Sequence, residues 1–223
     1  DTCTFVVHIV DTQDPLIACP SNDVVVSTDD GQCSWASPAN SLSPNVAIAN
    51  CPFVITWEVY KSDTLQGSGS DDVSGYVFDL DTSWVCYYIA EAEDPDSNGI
   101  LTDTCCFMVI VQDNEPPVVT CPADVTFQDT DDMAEDCQHT NAGTGLDATA
   151  TDNCSVISLT HDYESAPDST TLDGAVWPVG VSVITWTAVD TAGNVSTCSF
   201  TVTVEDNVNP FIPCPADTSI VTI

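Results

Sequence analysis

The sequence predicts an all-β protein made of tandem β-sandwich modules that are cross-linked by disulfide bonds. Three observations support this prediction: short apolar runs separated by turn residues, a strand-linker-strand block that occurs three times, and 12 cysteines in 223 residues. No long segment of the sequence has helical periodicity, and many short strands at this spacing are typical of a β-sandwich.

The strand-linker-strand block defines the repeat. Each copy has a first cysteine, an apolar strand, an acidic linker that contains proline, and a second cysteine followed by proline. The first cysteines are Cys3, Cys105 and Cys198, and the second are Cys19, Cys121 and Cys214. Both series are spaced by 102 and then 93 residues, and matching periods at two positions indicate repeated modules.

The linkers give the module boundaries, because proline fixes φ and cannot continue a strand ladder. Residues 1–10 are predicted as the closing strand of a preceding module, and residues 206–223 as the opening strand of a following one. Residues 11–112 and 113–205 are the two predicted modules. The chain begins at Asp1 without a signal segment, so we expect a processed product or part of a longer chain.

The third copy of the block shows how the strands are expected to lie. Cys198, Phe200 and Val202 alternate with polar residues, which is the pattern of a strand with one buried face. Further strands are expected at residues 24–26, 52–60, 84–89 and 156–160. The stretch from Ser62 to Gly75 contains three glycines, so we expect turns there.

The charge balance is strongly acidic. The chain has 35 Asp and Glu residues and a single base, Lys61, for a formal net charge of −34 at pH 7. Such a field repels nucleic acid and anionic membranes, so we expect neither as a partner. We expect no membrane insertion, because no apolar run approaches the roughly 18 residues that it needs. The acidity has two explanations, solubility and the binding of divalent cations.

An ordered set of short motifs marks the second module. The motifs are Cys121-Pro122, Asp152-Asn153-Cys154, Pro178-Val179-Gly180, Asp190-Thr191-Ala192-Gly193-Asn194 and Cys198-Ser199-Phe200. In this order they resemble the hyalin repeat family (HYR domains). The first module is more divergent: it keeps Cys19-Pro20 and Asn50-Cys51 but lacks a clear Pro-x-Gly. The resemblance implies two tandem immunoglobulin-like β-sandwiches with extra terminal strands.

The resemblance also implies an extracellular, secreted or cell-surface role without catalysis. Our first hypothesis is a structural protein, a subunit or segment of a filament, surface fibre or matrix. Its partners would be copies of itself or adjoining modules of a longer chain. The alternative is an adhesin or recognition module that binds carbohydrate or a surface protein. We expect no catalytic residues, because the sequence has no metalloprotease, nucleophile-elbow or phosphate-loop motif.

Twelve cysteines indicate an oxidising compartment, and their spacing is too wide for a zinc site. The simplest pairing is Cys19–Cys105, Cys33–Cys51 and Cys86–Cys106 in the first module, with Cys121–Cys198 and Cys137–Cys154 in the second. Strand alternation places Cys105 inward and Cys106 outward, and an alignment of the modules places Cys86 inward. An exchange to Cys86–Cys105 with Cys19–Cys106 therefore stays open.

Cys3 and Cys214 are left over by this pairing and are expected to bond between modules or between subunits. One explanation is that both partners lie in other parts of a longer array. The other is a polymer in which Cys214 of one copy bonds Cys3 of the next.

Acidic residues lie at every linker and in the loops expected to approach it. The candidate calcium ligands are Asp11, Asp94, Asp96, Asp113, Asp190 and Asp206. The arrangement is similar to the interdomain calcium sites of cadherins, and calcium takes 6–8 oxygen ligands. Aspartates also serve in turns without a metal, and we expect no cofactor other than calcium.

Two N-glycosylation sequons begin at Asn153 and Asn194. Both lie in predicted loops. Asn153 stands beside a cysteine that is expected to form a disulfide, so we expect it to be the poorer acceptor.

Overall fold

The computed structural model describes residues 2–7, 10–91, 100–129 and 137–208. Within these ranges the chain forms strands and turns but no helix, so no helix long and apolar enough to cross a membrane occurs in them. The chain divides into two compact units. Unit 1 comprises Asp1–Glu115 and Asp152–Cys154, and unit 2 comprises Pro116–Thr151 and Ser155–Ile223.

Unit 1 is a β-sandwich. Its strands are β1 (Leu16–Ala18), β2 (Val24–Ser27), β3 (Ser34–Ala36), β4 (Val46–Ile48), β5 (Phe53–Lys61), β6 (Thr64–Ser70), β7 (Val77–Asp79), β8 (Asp81–Glu91) and β9 (Thr102–Gln112). The large sheet has the order β2-β9-β8-β5-β6, and the pairs β1-β4 and β3-β7 form two small sheets. Only β2 and β9 pair in parallel among these described strands.

The core of unit 1 lies between the large and small sheets. Val85, Tyr87 and Ile89 alternate along β8 and are fully buried, as the period-two pattern requires. They share one hydrophobic cluster with Ile17 of β1 and Phe78 of β7. Side chains from both layers therefore meet in one core, which defines a sandwich.

Unit 2 repeats this topology, except that its large sheet has four described strands and no counterpart of β6. Its strands are β10 (Val118–Thr120), β11 (Val125–Asp129), β12 (Gln138–Thr140), β13 (Thr149–Thr151), β14 (Val156–His161), β15 (Val176–Pro178), β16 (Gly180–Asp190) and β17 (Val195–Asp206). The large sheet has the order β11-β17-β16-β14, and β10-β13 and β12-β15 form the small sheets. Trp177 and Trp186 are fully buried in its core. The two units confirm the predicted all-β, immunoglobulin-like fold.

The glycine-rich stretch after β5 differs from the prediction, because residues 64–70 form strand β6 instead of a turn. Gly67 and Gly69 pair with Val59 and Trp57 on β5. A Cβ atom on Gly69 would lie 2.5 Å from Cζ2 of Trp57. Glycine is therefore needed in this strand because an aromatic ring lies against it. The sequence alone does not distinguish such a glycine from one in a turn.

The N-terminal residues that the structure describes also differ from the prediction. Residues 2–7 and 10 lie outside the strands, although a closing strand was expected at residues 1–10. The equivalent strands β9 and β17 each lie between two neighbours, whereas residues 2–7 and 10 pair with none of the described strands. A strand needs such partners for its backbone groups. Most of the predicted opening strand, including Cys214, lies outside the described residues.

Four disulfide bonds occur in the described part of the chain. Three are pairs that we expected: Cys19–Cys105, Cys86–Cys106 and Cys121–Cys198. Cys86 and Cys106 are directly opposite each other on β8 and β9. Val85 and Tyr87 point into the core, and Cys86, which lies between them in sequence, points to the opposite face of β8. The predicted inward orientation of Cys86 is therefore wrong, and so is the exchanged pairing.

The fourth disulfide corrects the expected pairing. Cys33 bonds Cys154, so the pairs Cys33–Cys51 and Cys137–Cys154 are wrong. Cys33 precedes β3 in a small sheet, whereas Cys51 precedes β5 in the large sheet. Closeness in sequence therefore does not decide which cysteines pair, because a disulfide depends on a short distance in space.

Candidate functional site

Two equivalent clusters of polar side chains lie in unit 1. Linker cluster 1 contains Asp11, Asn50, Cys51 and Glu91, and linker cluster 2 contains Asp113, Asp152, Asn153 and Cys154. Each combines the linker aspartate of one block with the Asn-Cys step that precedes a strand of a large sheet. The repeat therefore brings a linker aspartate and an Asn-Cys step together twice.

In linker cluster 1 the Asp11 carboxylate is held by hydrogen bonds. The Asn50 Nδ2 atom donates to Oδ1 at 2.9 Å, and the Cys51 thiol donates to Oδ2 at 3.1 Å. The hydrogen bond from Asn50 is the main reason that the pKa of Asp11 is lowered to about 2, with further contributions from the Gln13 amide and Cys51. Asp11 is thus a stable anion at neutral pH.

Glu91 completes linker cluster 1 from the end of β8. Its side chain is 6% exposed, and its Oε1 atom has no hydrogen-bond partner among the described residues. One ligand atom each from Asp11, Cys51 and Glu91 lies within 4.8 Å of the others. The cluster brings two carboxyl groups and one sulfur together.

Linker cluster 2 is centred on Asn153. The Asn153 Nδ2 atom donates to the carbonyl oxygen of Gln32 at 3.0 Å and to Oδ1 of Asp113 at 3.3 Å. The Asn153 Oδ1 atom is buried and has no hydrogen-bond partner among the described residues. Asp113 is 5% exposed, and its carboxylate and that of Asp152 lie within 4.8 Å of each other.

The two clusters offer different donor sets. In linker cluster 2 the Cys154 sulfur is bonded to Cys33, so the donors that a cation would meet there are oxygens of Asp113, Asp152 and Asn153. Hard cations such as calcium prefer oxygen ligands. Linker cluster 1 contains the Cys51 thiol, and a soft sulfur is a poor ligand for such ions. Linker cluster 2 therefore fits calcium better.

The structure does not bring all the predicted calcium ligands together. Asp11 and Asp113 lie in the two linker clusters, whereas Asp94 and Asp96 lie outside the described residues. Asp206 accepts a hydrogen bond from the Val208 amide at 2.9 Å, which is a local turn contact.

Asp190 has a structural position within unit 2. It is 0% exposed, and it accepts hydrogen bonds from the backbone amide and the Nδ2 atom of Asn194, both at 2.8 Å. Burial raises the pKa of Asp190, but these hydrogen bonds outweigh burial and hold the pKa below its ordinary value. Its contacts are those of a loop-closing aspartate.

The sequence did not predict that Asn50, Cys51, Glu91, Asp152, Asn153 and Cys154 belong to such clusters. The Asn-Cys step occurs in both repeats, and its residues predict only disulfides and, at Asn153, glycosylation. Its recurrence at the same distance before β5 and β14 was a signal for an equivalent site. Glu91 gave no such signal, because its proximity to Asp11 depends on the fold.

The sequons both use their amide nitrogens as hydrogen-bond donors. Asn153 donates to Gln32 and Asp113, as described above, and Asn194 donates to Asp190. Among the remaining cysteines that the structure describes, Cys3 and Cys137 are exposed thiols.

The chain is similar to a known protein family and to one of its long relatives. Residues 112–204 match the HYR domain family. Hyalin of Strongylocentrotus purpuratus is 26% identical over 236 aligned positions, which cover 97% of this chain. The chain spans only 16% of the length of that relative.

The solved structures that match this chain share little sequence with it. The fibronectin(III)-like modules of Clostridium thermocellum CbhA are 13% identical with a TM-score of 0.32, covering 89% of this chain and 100% of theirs. Drosophila N-cadherin EC1-4 is 13% identical with a TM-score of 0.36, covering 86% of this chain and 50% of that one. The family match at residues 112–204 confirms the resemblance of this chain to the hyalin repeat family.

Proposed function

We propose that this chain is a segment of an extracellular structural array built from HYR repeats. The observation that carries the proposal is the Cys33–Cys154 disulfide. Cys33 belongs to the first sequence repeat and Cys154 to the second, so successive repeats are joined by a side-chain bond as well as by the main chain. Such a cross-link suits a protein that keeps its repeats in a fixed order in an oxidising environment.

The charge of the chain supports the same role. The only base, Lys61, donates to the backbone carbonyl of Leu80, so it is engaged by the main chain. The 35 acidic side chains outnumber Lys and Arg by 34, so cations from outside the protein balance the excess charge. Mutual repulsion keeps such chains apart until cations or specific contacts bring them together.

Electron microscopy and glycan binding separate the structural role from recognition. We expect the purified, oxidised chain to form ordered assemblies that grow with protein concentration, and to bind no carbohydrate on a glycan array. Dispersed particles at every concentration, together with saturable binding of one glycan class, would support the adhesin alternative and contradict the structural role.

A second proposed property is calcium binding at linker cluster 2. The supporting observation is the buried Asn153 Oδ1 atom beside the carboxylates of Asp113 and Asp152. When bound, calcium would neutralise the two carboxylates, and Asn153 would contribute a neutral oxygen. This proposal supports the array function because a cation at this place would hold the linker aspartate against the Asn-Cys step.

Calorimetric titration with calcium tests this site. We expect Asp152→Asn to weaken the tightest calcium-binding event at least tenfold, because one of the two carboxylate charges is lost. The amide keeps an oxygen that can accept the Cys154 backbone amide, which Asp152 binds at 3.0 Å. Asp168→Asn is the matched control, because Asp168 accepts the Thr170 amide in the same kind of turn. Equal affinities in both variants would show diffuse binding by net charge.

A further inference from the structure

The cysteine in front of the third strand is equivalent in the two repeats. Cys33 directly precedes β3, and Cys137 directly precedes β12. The strand β3 pairs antiparallel with β7, the short strand before β8, and β12 pairs in the same way with β15, the short strand before β16. Cys33 and Cys137 therefore occupy matching places, which we call the β3-side position.

The cysteine of the Asn-Cys step is equivalent in the two repeats as well. Cys51 stands two residues before β5, and Cys154 stands two residues before β14. These strands pair with the equivalent strands β8 and β16. In each repeat the neighbouring asparagine donates to the linker aspartate, at 2.9 Å in the first and at 3.3 Å in the second.

The Cys33–Cys154 disulfide joins the β3-side position of one repeat to the Asn-Cys step of the next. Cys33 is the β3-side cysteine of the first repeat, and Cys154 is the Asn-Cys cysteine of the second. Cys154 is therefore already used, and Cys137 cannot bond it as the sequence suggested. Cys137 is exposed, and its thiol forms no disulfide among the described residues.

We infer that Cys137 forms a disulfide with the Asn-Cys cysteine of another HYR repeat. The bond would repeat the Cys33–Cys154 connection one step further along an array. By the same rule, Cys51 bonds the β3-side cysteine of another repeat. Each repeat then gives one cysteine in each direction, so the pattern extends without a leftover position. The inference deepens the proposed structural role and rests on it.

The chemistry requires an oxidant. Two thiols lose two protons and two electrons when the sulfur–sulfur bond forms. A small disulfide such as oxidised glutathione accepts them by exchange and leaves as two molecules of glutathione. An extracellular or secretory environment supplies disulfides of this class.

The repeat that supplies the partner cysteine of Cys137 belongs either to a second copy of this chain or to a longer polypeptide that contains this chain. For the first source, the purified 223-residue chain is incubated in a glutathione redox buffer and its thiols are then alkylated. Because Lys61 is the only basic cleavage site, proteolysis after acidic residues and mass spectrometry without reduction map the bonds. We expect a peptide that joins Cys137 of one copy to Cys51 of another.

Matched variants identify the cysteine responsible. We expect Cys137→Ser to reduce disulfide-linked oligomers on non-reducing gels at least tenfold and Cys3→Ser to leave them unchanged. Both cysteines are exposed, so both variants should keep the circular dichroism spectrum of the parent. Loss of oligomers only in Cys3→Ser would overturn the inference in favour of a Cys214–Cys3 polymer.

For the second source, the same mapping is applied to the natural polypeptide. A bond from Cys137 to the cysteine of an Asn-Cys step later in that polypeptide supports the inference. It also shows that the partner cysteine comes from the same polypeptide and not from a second copy. An alkylated Cys137 in both materials, or a Cys137–Cys154 bond, overturns it. Ordered assemblies in electron micrographs with Cys137 alkylated would overturn this inference alone and leave the proposed structural role intact.

Discussion

The Ser199 hydroxyl donates a hydrogen bond to the Thr185 hydroxyl at 3.1 Å across β16 and β17. The two residues are directly opposite each other. In the first repeat the corresponding places on β8 and β9 hold the Cys86–Cys106 disulfide. The same cross-strand position is therefore filled by a hydroxyl pair in one repeat and by a covalent bond in the other.

This equivalence predicts that Thr185→Cys combined with Ser199→Cys forms a new disulfide. In the chain-entropy description, closing so short a loop stabilises the fold by about 3 kcal/mol, which would raise the Tm by roughly 10 °C. Mass spectrometry of the intact chain confirms the bond, and calorimetry measures the Tm. An oxidised double variant with an unchanged or lower Tm would show that β16 and β17 do not accept the bond geometry of β8 and β9.

The buried Tyr87 hydroxyl is predicted to stabilise unit 1. It accepts the Val73 amide at 3.0 Å, and Tyr87 is 0% exposed. Tyr87→Phe leaves that amide without its acceptor, so we expect a loss of about 1–3 kcal/mol in the free energy of unfolding. Urea unfolding measures the loss. Tyr60→Phe is the control, because its partner Glu58 keeps access to water; similar losses in both variants would contradict the prediction.

Tyr87 also predicts an alkaline limit to stability. Burial raises the pKa of Tyr87 to about 12, although the hydrogen bond from Val73 partly opposes this. The unfolded tyrosine ionises near its ordinary pKa of 10, so the unfolded state releases a proton first as the pH rises. Stability contributed by Tyr87 is therefore present below pH 10 and is lost between about pH 10 and 12. We expect Tyr87→Phe to show a shallower fall in Tm over this range, with thiols alkylated beforehand.

Asp190 is predicted to stabilise its loop without binding calcium. Asp190→Ala removes the acceptors of the Asn194 amide and side chain, so we expect a loss of about 1–3 kcal/mol in the free energy of unfolding. The lowered pKa means that this stabilisation is present above about pH 4 and is lost as the pH falls through the folded-state pKa. Calcium affinity should be unchanged. A parallel loss of calcium affinity would make Asp190 a ligand, as the sequence suggested.

The two sequons are predicted to differ in glycan occupancy. A glycan attached to Nδ2 of Asn153 would disturb the hydrogen bonds to Thr28, Gln32 and Asp113 inside linker cluster 2, whereas at Asn194 it would disturb the bond to Asp190 within its own loop. We therefore expect N-linked glycan at Asn194 in preference to Asn153 after secretion from a glycosylating host. Site mapping by mass spectrometry measures the occupancy. Higher occupancy at Asn153 would contradict the hydrogen bonding described for linker cluster 2.

Long strands such as β8, β9 and β17 could be predicted because each has one buried face. The alternation of Cys198, Phe200 and Val202 is local, and it survives in the structure as part of β17. The strand β6 could not be predicted, because Gly67 and Gly69 have no side chains to alternate. Their place in the sheet depends on the rings of Tyr76 and Trp57, which lie against them.

The sequence by itself determined the period of the repeat, the β-sandwich class and the Cys121–Cys198 disulfide. These features depend on spacing and alternation, which are properties of the chain itself. Only the tertiary structure decided that Cys33 bonds Cys154 and that Glu91 approaches Asp11. The physical reason is that a disulfide or a side-chain cluster depends on distance in space, and cysteines that are near in sequence here lie on different sheets.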